Sequence, residues 1–231
     1  MPREETTGIF IDSSNLTSWN IPSSKFVNMH TEFITSAANA KGFPDLALPE
    51  FAFVGRSNVG KSSLLNKLAG ANIARTSKTP GRTQLVNFFK ISGADFAFVL
   101  ADLPGYGFAR APRPVRRAWY ELLEVYLSER EPLRAVLQLI DLRRDVEDED
   151  VNVHEWLTGE KQTDEEGGLG REVLVVGTKA DKLSKAHRKP KLKDLGLTLG
   201  MTREQMMLCS SLQGLGIATL RDRLIELAKS E

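Results

Sequence analysis

Gly55 to Ser62 reads GRSNVGKS, set between the apolar run EFAFVG and the segment KSSLLNKLAG. The spacing Gly-x-x-x-x-Gly-Lys-Ser puts glycine where the backbone must take angles that side chains resist, so that successive N–H groups turn toward one point. The flanking patterns predict a buried strand before the turn and a helix after it, ended by Gly70. Strand, glycine turn and helix N-terminus in that order form a cradle for phosphate, because the free N–H groups and the helix dipole both favour an anion. Gly55, Arg56, Ser57, Asn58, Val59, Gly60, Lys61 and Ser62 are therefore the expected nucleotide-phosphate contacts. Lys61 can reach the β- and γ-phosphates, and the Ser62 hydroxyl can ligate Mg²⁺. A Gly/Ser turn that merely caps a helix is the plainer alternative, and the motifs downstream argue against it.

A unit of this kind needs strands alternating with helices, and the rest of the chain supplies them. EFAFVG, LVNFFKI, FAFVLADL, RAVLQLIDL, EVLVVGTKAD and QMMLCSS read as strands. KSSLLNKLAG, VRRAWYELLEVYLSER, a segment around 148–157 and IATLRDRLIELAKS read as helices. That alternation predicts an α/β fold: a mainly parallel sheet with helices on both faces and right-handed crossovers. The turn at Ser92-Gly93 predicts one antiparallel edge strand. Residues 1–48 read as an N-terminal extension rich in Ser, Thr and Asn, in which KFVNMHTEFITSA is a strand or a helix. Residues 158–170 read as a solvated loop, and 49–231 as the main domain.

Composition narrows the class further. The chain has 231 residues, 41% of them hydrophobic and 26% charged, enough for a sizeable core without staples. The net charge of +1 gives no global field toward nucleic acid or membrane, so any such signal is local. The single cysteine, Cys209, excludes an internal disulfide and fits a reducing compartment. Three scattered histidines argue against a His/Cys metal cage. No run is long and apolar enough for a membrane span, and MPREETTGIF lacks the plan of a signal peptide. The expectation is a cytoplasmic monomer.

Three further motifs follow the cradle in order. DLPG, Asp102 to Gly105, ends an apolar strand. There an acid can support Mg²⁺ through a water, and the Gly105 N–H can meet a γ-phosphate. Between cradle and acid lies SKTPGRTQ, where either Thr79 or Thr83 could complete the metal shell once a γ-phosphate orders the loop. TKAD, Thr178 to Asp181, follows a strand, and a carboxylate there accepts from both N1–H and the 2-amino group of guanine. Adenine would leave that carboxylate unpaired. The Lys179 stem can lie across the base plane. Thr178 stands where the usual guanine motif has Asn. Cys209-Ser210-Ser211 can present a backbone N–H to guanine O6, or simply cap a helix.

These residues together resemble the EngB (YihA/YsxC) GTPases, from LPEFAFVGRSNVGKSSLLN to the C-terminus. The sharpest matches are GRSNVGKSS, ARTSKTPGRTQLVNFF, DLPGYGFA, TKADKL and SS. The resemblance implies a Ras-like P-loop GTPase fold, GTP and Mg²⁺. It also implies a role in assembling the large ribosomal subunit and in normal cell division and septation. Carried over residue by residue, it places the Mg²⁺ ligands on Ser62 and Thr83, with Asp102 supporting the metal. The nucleotide site extends to Gly81, Arg82, Gln84, Leu85, Leu103, Pro104, Lys179 and Ala180, and Thr178 is what this family carries. The longer N-terminal segment and residues 158–170 depart from the compact bacterial pattern.

Many GTPases follow the DxxG glycine with a Gln that orients the attacking water. Here Tyr106 follows, so slow intrinsic turnover is expected. Lys61, Thr83 and Asn58 are the groups expected to act in hydrolysis, Asn58 by holding a K⁺ ion that offsets developing charge. Arg110, Arg113, Arg116 and Arg117 form one basic cluster; Lys182, Lys185, His187, Arg188, Lys189, Lys191 and Lys193 form a second. Either is a solvated face or a surface for ribosomal RNA. The rival readings are a P-loop ATPase or kinase, and a nucleotide-regulated scaffold for division proteins with little turnover.

Overall fold

The computed structural model describes residues 29–74, 85–107, 113–159 and 172–230. Seven strands form one sheet: β1 (His30–Ala37), β2 (Glu50–Gly55), β3 (Val86–Ser92), β4 (Ala97–Asp102), β5 (Leu133–Asp141), β6 (Glu172–Thr178) and β7 (Met206–Leu208). Their order across the sheet is β1-β3-β4-β2-β5-β6-β7. β4, β2, β5, β6 and β7 are parallel, whereas β3 runs antiparallel to both β4 and β1. Among the described residues five α-helices cover the sheet: α1 (Lys61–Ala69), α2 (Arg113–Glu129), α3 (Asp148–Thr158), α4 (Lys185–Leu199) and α5 (Ile217–Lys229).

The central strands are buried on both faces, which is why they read as unbroken apolar runs. Alternate residues of β2 serve opposite layers. Phe51 and Phe53 join Leu64, Leu65 and Leu68 of α1 and Leu220 and Leu224 of α5. Ala52 and Val54 join Leu123, Tyr126 and Leu127 of α2 and Val153 and Leu157 of α3. A smaller cluster packs Leu195 and Leu199 of α4 on Ile140 and Val175.

Two elements differ from the sequence expectation. The antiparallel β3 is not the edge, because β1, from the segment read as an extension, pairs outside it. Most of β1 is exposed or half-buried, so it carries the weak periodicity of an edge strand. The second is α4, a helix of 15 residues where the sequence reading placed only a basic run. Its apolar positions Leu192, Leu195 and Leu199 keep helical spacing. Pro190, which removes a backbone donor, and the surrounding lysines obscure that stripe.

At the sheet end remote from the strand C-termini, the buried Glu50 carboxylate accepts from the Tyr126 hydroxyl and from Arg130 at 2.8 Å. The same guanidinium donates to the Pro44 carbonyl at 2.7 Å and lies 5.9 Å from the Phe43 ring centroid. This ties the connection between β1 and β2 to α2. Among the described residues no helix is long and apolar enough to cross a membrane.

Candidate functional site

The C-terminal ends of β2, β4, β6 and β7 carry the motif loops singled out in the sequence, as expected for an open α/β sheet. After β2 the chain turns through Arg56 to Gly60 into α1. Gly55 has no room for a side chain: a Cβ there would lie 2.9 Å from Val59 Cγ1 and 3.0 Å from the Leu139 carbonyl oxygen. Gly60 caps α1 with φ 112°, and Asn58 at the loop tip has φ 64°, both in the left-handed region. Val59 is buried beneath the loop and holds its shape.

The loop after β4 is fastened to this cradle. The Tyr106 N–H donates to the Gly55 carbonyl at 3.1 Å, and the Ser57 N–H donates to the Tyr106 carbonyl at 3.0 Å. Gly105 therefore lies against the cradle, where an added Cβ would meet the Gly55 carbonyl oxygen at 3.1 Å. The Lys61 ammonium pairs with the Asp102 carboxylate, which is largely buried. Leu103 is fully buried, and Pro104 is buried beside it.

The side chain of Tyr106 points away from the cradle. Only 2% exposed, it donates its hydroxyl to Asp150 Oδ1 of α3 at 2.8 Å. Burial, then the adjacent carboxylate, hold the phenol well above its ordinary pKa, so it stays a donor. Burial also raises the Asp150 carboxyl above its usual value. Asp150 closes a capping box with Glu147 at the start of α3. Arg56 of the cradle pairs with that same Glu147. The first turn of α3 thus grips both phosphate-side loops.

On the base side, Thr178 replaces the usual Asn yet still bridges the two halves: its hydroxyl donates to the Val59 carbonyl at 2.7 Å. Lys179, with φ 56°, reaches back to donate to the Asn58 carbonyl at 2.6 Å. The Asp181 side chain is held by the Ser210 hydroxyl at 2.7 Å, which in turn accepts from the Gln213 N–H at 3.0 Å. The Ala180 N–H donates to the Cys209 carbonyl at 3.1 Å, joining the two base-side loops. Burial pushes the Cys209 thiol up to about 12, which leaves it protonated and chemically quiet.

A cleft of about 620 Å³ runs between α1 and the loops after β6 and β7, and of the expected nucleotide contacts Gly60, Thr178, Lys179, Asp181 and Ser211 line it. Ser63, Asn66, Lys67 and Leu212 also line it without having carried a motif. Gly81, Arg82, Thr83 and Gln84 lie outside the described residues, as does Thr79; Leu85, just before β3, is exposed. One residue missed by motif reading is Asp141, at the end of β5. Its Oδ2 accepts from Lys179 at 2.9 Å and from Arg143 at 2.7 Å. Burial alone would raise its pKa, but the hydrogen bonds from Arg143 and Lys179 prevail and hold it at about 2. In the second basic run, Lys191 pairs with Asp145, at 2.6 Å. In the first cluster, the exposed Arg117 pairs with Glu121, while Arg110 lies outside the described residues.

A mainly parallel sheet with a glycine cradle after one strand and a serine-held aspartate beyond another defines a P-loop protein of the Ras-like nucleotide-binding class. Comparison with known proteins makes this specific. A protein-family model described as "50S ribosome-binding GTPase" matches residues 50–178. "Probable GTP-binding protein EngB" of Syntrophus aciditrophicus is 45% identical over 196 residues, spanning 84% of this chain and 91% of that protein. The protein of the same description from Trichlorobacter lovleyi is 43% identical over 183 residues, 79% of this chain and 87% of that one. The chain belongs to the EngB family of GTP-binding proteins, and it is a GTPase. Among solved structures, a probable EngB protein matches 79% of this chain and all of its own, with TM-score 0.59 and 22% identity. Era bound to MgGDPNP and nucleotides 1506–1542 of 16S ribosomal RNA matches 79% of this chain and 57% of its own, with TM-score 0.63 and 21% identity. At those identities the likeness is one of fold.

Proposed function

We propose that the chain is a GTP·Mg²⁺-dependent switch in assembly of the large ribosomal subunit, linked through it to normal division and septation, and acting in the cytoplasm as a monomer. Lys61 offsets phosphate charge, the Gly105 N–H senses the γ-phosphate, and Asp181 selects guanine. The residues fit a magnesium ion: Ser62 and Asp102 offer hard oxygen donors, and the Asp102 carboxylate already lies beside a cation, the Lys61 ammonium. Thr83 would complete that donor set. When bound, Mg²⁺ supplies positive charge to the phosphate oxygens and orients them. With a nucleotide in the cradle, Lys61 would serve the phosphates and Asp102 would support the metal. Tyr106 presents no amide and faces α3, which supports slow intrinsic turnover. The Asn58 side chain at the loop tip is suited to hold a K⁺ ion; equal turnover in K⁺ and Na⁺ buffers, with and without ribosomal particles, would remove that role.

The observation that carries the ribosomal reading is the placement of α4. It begins four residues after Asp181 and exposes Lys185, Lys189 and Lys193, one helical stripe, with Lys182 exposed just before it. Such a face attracts a phosphate backbone. The description of the matching family, "50S ribosome-binding GTPase", concerns other proteins and points the same way. The test is recovery of ribosomal particles by the tagged protein loaded with GTP, GDP or a non-hydrolysable GTP analogue. Preferential recovery of large-subunit precursors with the analogue is expected, and recovery independent of nucleotide and salt would end the proposal.

A further inference from the structure

Asp141 ends β5 directly opposite Thr178 of β6 in the strand register, so its carboxylate arrives beside the first residues of the base-side loop. Two cations close on it, one from the loop after β6 and one from two residues along its own loop. Lys179 Nζ lies 2.9 Å from Oδ2. Arg143 donates from Nη2 to Oδ2 at 2.7 Å, from Nε to Oδ1 at 3.0 Å, and from its backbone N–H to Oδ1 at 3.1 Å. The side chain of Asp141 is 10% exposed, against 27% for Lys179 and 41% for Arg143, so the anion is the buried member of the group. The Lys179 ammonium is also bonded to the Asn58 carbonyl. Its stem passes Gly60, where an added Cβ would lie 3.8 Å from Lys179 Cε. A flexible four-carbon chain is thereby held at its tip by two anchors, one on β5 and one on the cradle, and lies along the cleft as a fixed apolar wall.

We propose that Asp141, buttressed by Arg143, is a positioning residue for base recognition: it holds the Lys179 stem where a guanine ring lies against it. This rests on the guanine-nucleotide reading of the cleft. Asp141 acts on binding and not on the phosphate side, since it faces the base-side loop and touches neither Lys61 nor Asp102. Its influence therefore falls on GTP and GDP alike, and appears in KM rather than kcat.

The experiment measures GDP and non-hydrolysable GTP-analogue affinity, with steady-state GTPase kinetics, for Asp141→Asn, Lys179→Met and the double variant. Asp141→Asn is expected to weaken both nucleotides by about ten-fold, the scale of one charge-assisted hydrogen bond. Added to Lys179→Met, which removes the ammonium but keeps an apolar stem, it is expected to change affinity little further. Equal losses in both backgrounds, unchanged affinity, or a fall in kcat at unchanged KM would overturn the proposal. Arg143→Ala, at a half-exposed site, covers the case in which Asp141→Asn does not fold. Its smaller loss of affinity should likewise vanish in the Lys179→Met background, and persistence there counts against the proposal. If the parent protein bound ATP as tightly as GTP, the guanine reading itself would fail and this inference with it; guanine-selective binding indifferent to Asp141→Asn rejects this inference alone.

Discussion

Tyr106 occupies the position where many GTPases carry a water-orienting Gln, and its side chain turns the other way, into α3. Only its backbone serves the phosphate side, through the paired hydrogen bonds to Gly55 and Ser57. The hydroxyl serves stability by satisfying a buried carboxylate. Tyr106→Phe removes that donor and should cost about 1–3 kcal/mol. In a chain of this size each kcal/mol lowers Tm by roughly 2–4 °C, so thermal unfolding reads the change directly. GTP turnover per folded molecule should stay near that of the parent. A large fall in turnover with nucleotide affinity intact would place the hydroxyl in the reaction instead.

Helix α4 shows how one element can carry two separate jobs. Leu195 and Leu199 hold it against Ile140 and Val175, while Lys185, Lys189 and Lys193 face outward. Because the two faces are distinct, the charges can be reversed without disturbing the packing. The triple variant Lys185→Glu, Lys189→Glu, Lys193→Glu should fold and bind GDP as the parent does. Its association with ribosomal particles should weaken steeply, with the slope of log affinity against log salt flattened by up to about 2–3. Retained association with an unchanged salt slope would assign the RNA contact to another surface. At α3 the logic differs, since a single helical turn, with its capping box, engages Arg56 of the loop after β2 and Tyr106 of the loop after β4. That helix is a joint between two loops: Asp150 serves the buried Tyr106 hydroxyl, and Glu147 serves Arg56.

Across the molecule, binding and stability are concentrated at opposite ends of the sheet. The strand C-termini carry the cleft, and the Glu50–Tyr126–Arg130 group ties α2 to the chain before β2 at the other end. Glu50→Ala leaves the half-buried Arg130 guanidinium without its carboxylate and the buried Tyr126 hydroxyl without its acceptor, and should destabilise the fold by about 3 kcal/mol. Chemical denaturation checks the loss, and the GDP affinity of the molecules that remain folded should be unaltered. A loss of affinity comparable to the loss of stability would mean the two ends are coupled. The glycine turn after β2, the Asp181 that lines the cleft and most of the strands were legible in the chain because each rests on a short window: a glycine that must adopt a special φ, a carboxylate after a strand, an unbroken apolar run. Thr178 was legible as a departure from Asn, but its bridge to Val59 was not, since that depends on how close two loops come after folding. The same holds for β1, whose polar residues show no clear periodicity until β3 offers it an edge. It holds for α4, whose leucine stripe acquires meaning only against Ile140 and Val175. Asp141 is the sharpest case: nothing around it in LQLIDLRRD marks a binding residue, and its partner Lys179 lies on the neighbouring strand's loop. Local backbone demands and apolar periodicity are written within a few residues, and they settled the class of protein and where its motif loops fall on the sheet. Which charges meet, which way Tyr106 faces and what holds Lys179 depend on contacts between segments distant in the chain, and those were decided only when the sheet set β5 beside β6.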